Sequence, residues 1–525
     1  MSNRYLENPY CNERKDEFME LLQYLGTEDA RTGQVLNSLE GAVNILDIVT
    51  KHVLKSIVKQ TTKSGSLRIR GLYKGDFSGL SYSFLRAAST IEALAKSFEN
   101  ISSKKSLARF QNLLSEIVII AGKITDCLES DTIERRDDRK RSKVTSIDGI
   151  KVVQQCLKTS HALAQFSWAH VLSETYVEAE RHTFVESDVG IAALMVLFEN
   201  NKSAISRINV AVTSAIKHTE MGSSELLYGQ AGVLSALLFV RYHKQRLKNL
   251  IPILTSTSSE NSENYTTSLD NDIKAVVRSI LSIGASNSLK MNYDSKFGLM
   301  YSWHDSDYLG AAHGLAGILY VLKTAVDVVG LSFLSEVEDK QDSSSLAATI
   351  KDNILACIDA IVDCQYASGN FPTRCHNIEG KKEKLVQWCH GSPGIIPLLC
   401  MFAREDCEKN RIYRASCESA CANVWSNGLL RKGVGLCHGI SGNGYSFLYA
   451  QESIAMKRED TMDYSFLAKA IVFSKFAHSK LPELFDVPDH PYSLFEGVLG
   501  LACFDFDVSL LASGCKMVGF PAFSV

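Results

Sequence analysis

A pair of glycines separated by two residues and followed by an apolar helix constrains the fold of this chain more than any other feature. The pattern occurs seven times, at 75–79, 188–190, 229–232, 314–317, 391–394, 439–442 and 497–500, although the first unit is one residue wider and the second lacks its first glycine. Without a β-carbon, two backbone segments can approach closely, and φ can be positive. One pair would indicate only local packing of small residues, whereas seven indicate seven crowded helix starts.

Seven helix starts of one kind predict a ring of helices whose N-terminal ends converge on one face. The sequence between units leaves room for a second helix each time, and only 9 prolines occur in 525 residues. We therefore predict an all-α fold, a closed α/α toroid with seven inner and seven outer helices. It forms a single domain over residues 1–525. The charged run at 134–143 and the Ser/Thr/Asn-rich stretch at 254–270 are interpreted as surface insertions.

Composition excludes several classes of function. The net charge is −3, from 56 basic and 59 acidic residues, so no basic excess indicates a nucleic-acid partner. No apolar run reaches the ~18 residues that span a bilayer, and nothing in the sequence points to membrane association. The first residues lack the apolar core of a secretion signal, which predicts a cytoplasmic protein. There the 14 cysteines should be buried thiols or metal ligands.

Cysteine and histidine precede the glycines of three units. His313 lies before the fourth unit, Cys389-His390 before the fifth and Cys437-His438 before the sixth. If equivalent helix ends converge, these residues meet at one mouth of the barrel. Thiolate and imidazole are the preferred ligands of zinc. The two Cys-His pairs could form a closed structural site, or three of the four residues could leave an open catalytic position. Spacing alone does not select the ligands.

Longer motifs resemble a known family. The segments YSWHDSDYLGAAHGLAG, QWCHGSPG, KGVGLCHGISGNGYSFL and PYSLFEGVLG resemble the eukaryotic LanC-like proteins, which are relatives of the bacterial lanthionine synthetase C cyclases. The resemblance extends to RYLENPY near the N-terminus, to ELLYGQAGVLSALLFV and to the final FPAFSV. It covers nearly the whole chain in order. The family fold that it implies, an α/α toroid, agrees with the repeats.

The resemblance also implies roles for individual residues. The zinc ligands of one bound ion would be Cys389, Cys437 and His438, with the fourth position open. His390 follows a ligand and is not one itself. His313 would be the catalytic histidine, and Glu225 would match an acidic residue of the bacterial cyclases.

A ligand and a reaction are implied as well. LanC-like proteins bind glutathione and are associated with adding its thiol to dehydroalanine or dehydrobutyrine residues of peptides or proteins, a thia-Michael addition. Arg4 and Lys432 match basic positions expected to bind glutathione. In one departure, Asp486 stands where relatives carry an arginine, and an acid repels a carboxylate.

Three further hypotheses come from the same residues. A glutathione- and zinc-binding adaptor or signalling protein would share the ligands without turnover. A glycosidase would need a pair of acids, and Asp188, Glu225 and Glu496 lie near repeat starts. A prenyltransferase-like zinc barrel fits the seven units poorly. For Glu496 we expect a capping role at its own helix N-terminus.

Overall fold

The structure, a computed structural model of the chain, consists almost entirely of helices. It describes residues 4–62, 69–99, 101–129, 148–173, 182–217, 224–247, 262–293, 296–329, 343–375, 383, 385–403, 410–455, 457–458 and 461–523. The α-helices in these ranges are α1 (Lys15–Tyr24), α2 (Glu28–Thr62), α3 (Asp76–Phe98), α4 (Lys104–Glu129), α5 (Gly149–Ser173), α6 (Val189–Phe198), α7 (Lys202–Lys217), α8 (Gln230–Arg246), α9 (Ser262–Lys290), α10 (Leu315–Val329), α11 (Ser343–Asp363), α12 (Ser392–Ala403), α13 (Asn410–Asn427), α14 (Ile440–Ser453), α15 (Ser465–Leu484) and α16 (Leu499–Ala512).

Besides the α-helices, the described residues contain a 3-10 helix and a short β-hairpin. A 3-10 helix, Pro9–Cys11, precedes α1. Strands β1 (Lys457–Arg458) and β2 (Thr461–Met462) form an antiparallel hairpin between α14 and α15, with Lys457 opposite Met462. None of the helices in the part of the chain described here is long and apolar enough to cross a membrane.

Seven helices form a closed inner ring, as the glycine repeats predict. They are α3, α6, α8, α10, α12, α14 and α16. Each contacts the next along the chain, and α16 contacts α3 to close the ring. These helices are apolar around most of their circumference, as expected for elements surrounded by protein. All ten residues of α6, for example, are buried.

The outer layer covers this ring with the helices that alternate with it in the chain. Contacts pair α2 with α16, α5 with α3, α7 with α6, α9 with α8, α13 with α12 and α15 with α14. Helix α11 is the seventh outer helix, and its Asp359 accepts a hydrogen bond from the Tyr413 hydroxyl of α13 at 2.8 Å. Helix α4 packs against α2 and α5, and α1 against α15. The predicted α/α toroid is therefore confirmed, with two additional peripheral helices.

Backbone crowding explains the second glycine of each unit. In six units a β-carbon on this glycine would lie 1.7–2.7 Å from the carbonyl oxygen of the residue six positions earlier. The pairs are Gly190 with Phe184, Gly232 with Leu226, Gly317 with Ala311, Gly394 with Trp388, Gly442 with Leu436 and Gly500 with Leu494. Positive φ plays a smaller part than expected, because among the repeat glycines only Gly391 adopts it, at 103°.

The structure describes only part of the two predicted surface insertions. Residues 134–143 lie outside the described residues, as do 254–261. Residues 262–270 belong to α9, which begins at Ser262, and that 134–143 and 254–270 are surface insertions stays a prediction. Leu269 is buried there, and Asp270 pairs with Arg241 at 2.7 Å; apolar burial and this ion pair outweigh the polar composition. The single domain over 1–525 stays a prediction.

Substitution of Gly442 by alanine should destabilise the protein. The added β-carbon would lie 1.7 Å from the Leu436 carbonyl oxygen, so the loop before α14 must move, at a cost of about 1–3 kcal/mol. Gly122→Ala is the matched control, because nothing lies within 4 Å of a β-carbon there and alanine favours a helix interior by up to about 1 kcal/mol. Denaturant unfolding measures both changes; equal effects would contradict the crowding argument.

The His478–Asp505 pair should make stability depend on pH. Burial lowers the pKa of His478, but the Asp505 carboxylate, with its hydrogen bond, outweighs burial and raises that pKa above 6.5. A raised folded-state pKa stabilises the protein below pH 6.5, and this contribution is lost as pH rises through the folded value. Wild type should therefore exceed His478→Gln in unfolding free energy most at pH 6, and this difference in unfolding free energy should narrow as the pH rises to 9. A difference independent of pH would contradict this.

Candidate metal and catalytic site

The loops before the inner helices are joined to one another around one mouth of the barrel. Backbone hydrogen bonds make all seven joints: Tyr73 N–Val185 O (2.7 Å), Phe184 N–Gly232 O (3.1 Å), Leu226 N–Ala312 O (3.3 Å), Leu309 N–Thr373 O (3.1 Å), Cys389 N–Cys437 O (3.2 Å), Cys437 N–Phe495 O (2.9 Å) and Phe495 N–Tyr73 O (3.3 Å). At the joint between the loops before α10 and α12, Gly310 also packs so closely that a β-carbon on it would lie 2.3 Å from the Cys389 carbonyl oxygen. The predicted convergence of helix starts is thus present.

Cys389, Cys437 and His438 form a candidate metal site at this mouth. Their ligand atoms all lie within 4.8 Å of one another, and no other such cluster occurs among the described residues. Tetrahedral zinc with Zn–S near 2.3 Å and Zn–N near 2.0 Å places its ligand atoms about 3.5–3.8 Å apart. Small side-chain movements would reach that spacing. The donor set and its geometry therefore fit zinc.

The two cysteines are already polarised by their neighbours. A hydrogen bond with Cys437 holds the pKa of the Cys389 thiol well below its usual value, against burial and with a further contribution from His438. The same bond, together with burial, raises the pKa of Cys437 well above its usual value. Gln387 Nε2 also donates to Cys389 Sγ at 3.0 Å. Cys389 is thus the sulfur that carries negative charge most easily.

His313 is held in one orientation beside this cluster. Its Nδ1 lies 2.8 Å from Glu225 Oε2, and Glu225 itself accepts hydrogen bonds from the backbone N–H groups of Leu227 and Tyr228. The Trp303 ring stacks on the imidazole at 3.9 Å with an interplanar angle of 2°. A carboxylate on Nδ1 fixes the tautomer and leaves Nε2 for proton transfer.

His390 connects His313 to the candidate ligands. Its ring centroid is 6.1 Å from that of His313, and its Nδ1 is buried without a hydrogen-bond partner among the described residues. Burial lowers its pKa against the effect of Cys389, and His313, Arg374 and Lys432 lower it further. His390 is therefore a neutral imidazole in a cationic part of the mouth.

Sequence reasoning did not identify three residues of the mouth as functional: Trp303, Tyr308 and Arg374. The Tyr308 ring lies 5.3 Å from His390, and the Arg374 guanidinium lies 5.3 Å from the Tyr308 ring. A β-bridge between Tyr308 and Arg374 holds this arrangement. Trp303 and Tyr308 both lie in the motif that also contains His313, so that motif could have indicated a functional role for them. Arg374 lies in none of the repeats or motifs of the sequence.

The two predicted glutathione anchors lie on adjacent segments. Tyr5 forms a β-bridge with Leu430, and the Arg431 N–H donates to the Arg4 carbonyl at 3.0 Å. Lys432 follows directly, and both predicted anchors are exposed. The N-terminal segment is therefore held beside the loop that leads to Cys437.

The acidic residues near repeat starts differ in their surroundings. Asp188 is bonded by Arg207 at 2.6 and 2.8 Å, and Glu225 is committed to His313, so these two form no glycosidase pair. Glu496 does not cap its helix as expected, because α16 has Val498 at its N-cap and no side-chain capping bond. Asp486 is exposed.

The chain belongs to the lanthionine synthetase C-like family, whose model matches residues 140–509. Two relatives illustrate the membership. A Danio rerio protein named Glutathione S-transferase LANCL1 is 29% identical over 351 residues, covering 65% of this chain and 74% of that protein. The Arabidopsis thaliana LanC-like protein GCL1 is 31% identical over 294 residues, covering 54% of this chain and 55% of that protein. The family predicted from the motifs is confirmed.

Metal analysis of purified variants tests which residues bind the ion. We expect about one zinc ion per wild-type chain and loss of zinc in Cys437→Ala and in His438→Ala, because each removes one of three ligands. His390→Ala should keep its zinc, and so should Cys503→Ala, which removes a buried thiol of α16. Loss of zinc in His390→Ala would instead support the closed four-ligand site.

Proposed function

We propose that this protein is a zinc-dependent, glutathione-binding enzyme that adds the glutathione thiol to dehydroalanine or dehydrobutyrine residues of peptides or proteins. One observation carries the proposal: a Cys₂His donor cluster and a carboxylate-oriented histidine share one mouth of the barrel. The printed name of the Danio rerio relative, a glutathione S-transferase, supports glutathione as the thiol. Zinc itself, the reaction and the cytoplasmic location stay predictions.

Three protein ligands leave the fourth position of a tetrahedral ion to a substrate. Zinc bound there would keep a substrate thiol deprotonated at neutral pH, and the thiolate is the nucleophile. The adjacent residues suit this role. Gln387 donates to Cys389 Sγ, which stabilises negative charge on that sulfur, and Trp388 behind it is fully buried, stacked on Phe520 at 4.6 Å.

His313 would manage the protons of the addition. A carbon–sulfur bond forms at the β-carbon of the dehydroamino acid, the carbon–carbon π bond breaks, and its electron pair moves towards the α-carbon and carbonyl oxygen. Nε2 of His313 then delivers a proton to the α-carbon, replacing the one that the thiol lost, so that the elements of the thiol add across the double bond. Glu225 on Nδ1 stabilises the protonated ring, and Trp303 fixes its plane.

Cationic side chains on one side of the mouth would attract the carboxylates of glutathione. Arg4 and Lys432 lie there beside Arg431, and Arg374 is bridged to the same mouth through Tyr308. Arg374 adds a cation that the sequence did not indicate, whereas Asp486 is exposed.

Turnover with a dehydroalanine peptide tests the proposal. Wild type with zinc and glutathione should yield a thioether, detected by mass spectrometry as the peptide plus one glutathione. His313→Ala should lower the rate by about 10²–10⁴-fold, the usual contribution of a positioned acid or base, while zinc content stays unchanged. His161→Ala is the matched control, because His161 also pairs with a glutamate, Glu199, at 2.7 Å, but on the outer helix α5.

The same experiment separates the enzyme from the adaptor. Thioether formation that is lost in His313→Ala and kept in His161→Ala would exclude an adaptor. Glutathione binding without product from the wild type, on both dehydroalanine and dehydrobutyrine peptides, would contradict the enzyme and favour the adaptor.

A further inference from the structure

One carboxylate oxygen of Glu496 takes no part in the proposed thiol addition. This oxygen, Oε2, is buried and has no hydrogen-bond partner among the described residues. The backbone of Glu496 packs against the loop that leads to the candidate ligands, since a β-carbon on Gly435 would lie 2.3 Å from its carbonyl oxygen. Its charge acts on both Cys437 and Tyr73. Glu496 therefore lies beside the metal cluster, inside the mouth.

Two cations that act on the same histidine as Glu496, His490, are engaged elsewhere. Arg70 Nη1 lies 3.1 Å from His490 Nε2, so the guanidinium donates and the imidazole must be a neutral acceptor. Lys74 lies 3.9 Å from Glu186 Oε2. Within the described residues, no Lys, Arg or His nitrogen comes within 4.0 Å of the Glu496 carboxylate. The residue is only partly buried, but a buried carboxylate oxygen without a partner is costly, and a positively charged hydrogen-bond donor would offset that cost.

Positively and negatively charged side chains act on different residues of the mouth. Lys432 and Arg374 both act on His390, whereas Glu496, whose buried Oε2 has no hydrogen-bond partner among the described residues, acts on Cys437. A small molecule bound by its sulfur at the candidate ligands would therefore have both cations and an anion near it. This arrangement suits a zwitterionic thiol better than one with only negative charge.

We propose that Glu496 binds the ammonium group of the thiol substrate, so that the site selects small thiols that carry a free amino group. This inference rests on the proposed function, because it concerns the thiol that adds to the dehydroamino acid. Glu496 is a specificity-determining residue here, and it takes no proton from the reacting atoms. Its carboxylate accepts charge-assisted hydrogen bonds from the ammonium, which are the stronger kind.

Comparison of glutathione with N-acetylglutathione tests this, since acetylation converts the ammonium group into a neutral amide and leaves the thiol and both carboxylates unchanged. Calorimetry with the zinc-loaded wild type should show about 10- to 100-fold weaker binding of the acetylated thiol, the usual effect of a hydrogen bond to a charged group. Glu496→Gln should weaken glutathione binding by a similar factor and leave N-acetylglutathione unchanged. In turnover, KM for glutathione should rise while kcat stays near the wild-type value.

Glu186→Gln is the matched control, because this acid precedes another inner helix and is already near Lys74. It should not alter the preference between the two thiols. If Glu496→Gln does not fold, the wild-type comparison still tests whether the site selects thiols that carry a free amino group. Equal binding of both thiols by the wild type, or an equal loss for both in Glu496→Gln, would overturn the inference while the proposed function stands. Failure of the wild type to bind either thiol would instead count against the proposed function.

Discussion

A backbone carbonyl packs against the first turn of six inner helices, in the space that a β-carbon would otherwise fill. The remaining features of the mouth depend on this contact. It folds each preceding loop back against its own helix, which leaves the loop edge free to bond to the next loop around the ring. The candidate ligands at or just before the glycines are then close together at the mouth. A set of side chains far apart in sequence is thereby brought within a few ångströms, without any one helix having to bend.

This dependence explains why so much of the site could be predicted from the sequence. Cys389, Cys437 and His438 each precede the glycine of a repeat unit or lie within two residues of it, so the repeat placed them together. His313 followed from the same argument, and the motif resemblance supplied their roles. Glu225 was a weaker match, and the structure gives it a clear partner in the His313 imidazole.

The residues that were missed lie outside that regularity. Arg374 reaches the mouth through a β-bridge between two irregular segments, and no periodic pattern records such a contact. Glu496 does occupy a repeat position, but a carboxylate at a helix start has two uses, capping and ligand binding. Only the position of the N-cap at Val498 and the unpaired Oε2 distinguish them. The polar composition of 262–270 likewise gave no indication of helix α9, which begins at Ser262 and is stabilised there by tertiary contacts.

Closure of the inner ring has a consequence for biosynthesis. Helix α16 packs on both α2 and α3, so a helix far along the chain completes the layer that α3 begins. Until then the chain is an open arc whose two terminal inner helices expose apolar faces. Contacts of such large sequence separation form slowly, and incomplete chains of this kind aggregate readily. A nascent chain of this protein would therefore expose these faces until α16 has been synthesised, and a stop codon before α16 would leave an arc without a closed mouth.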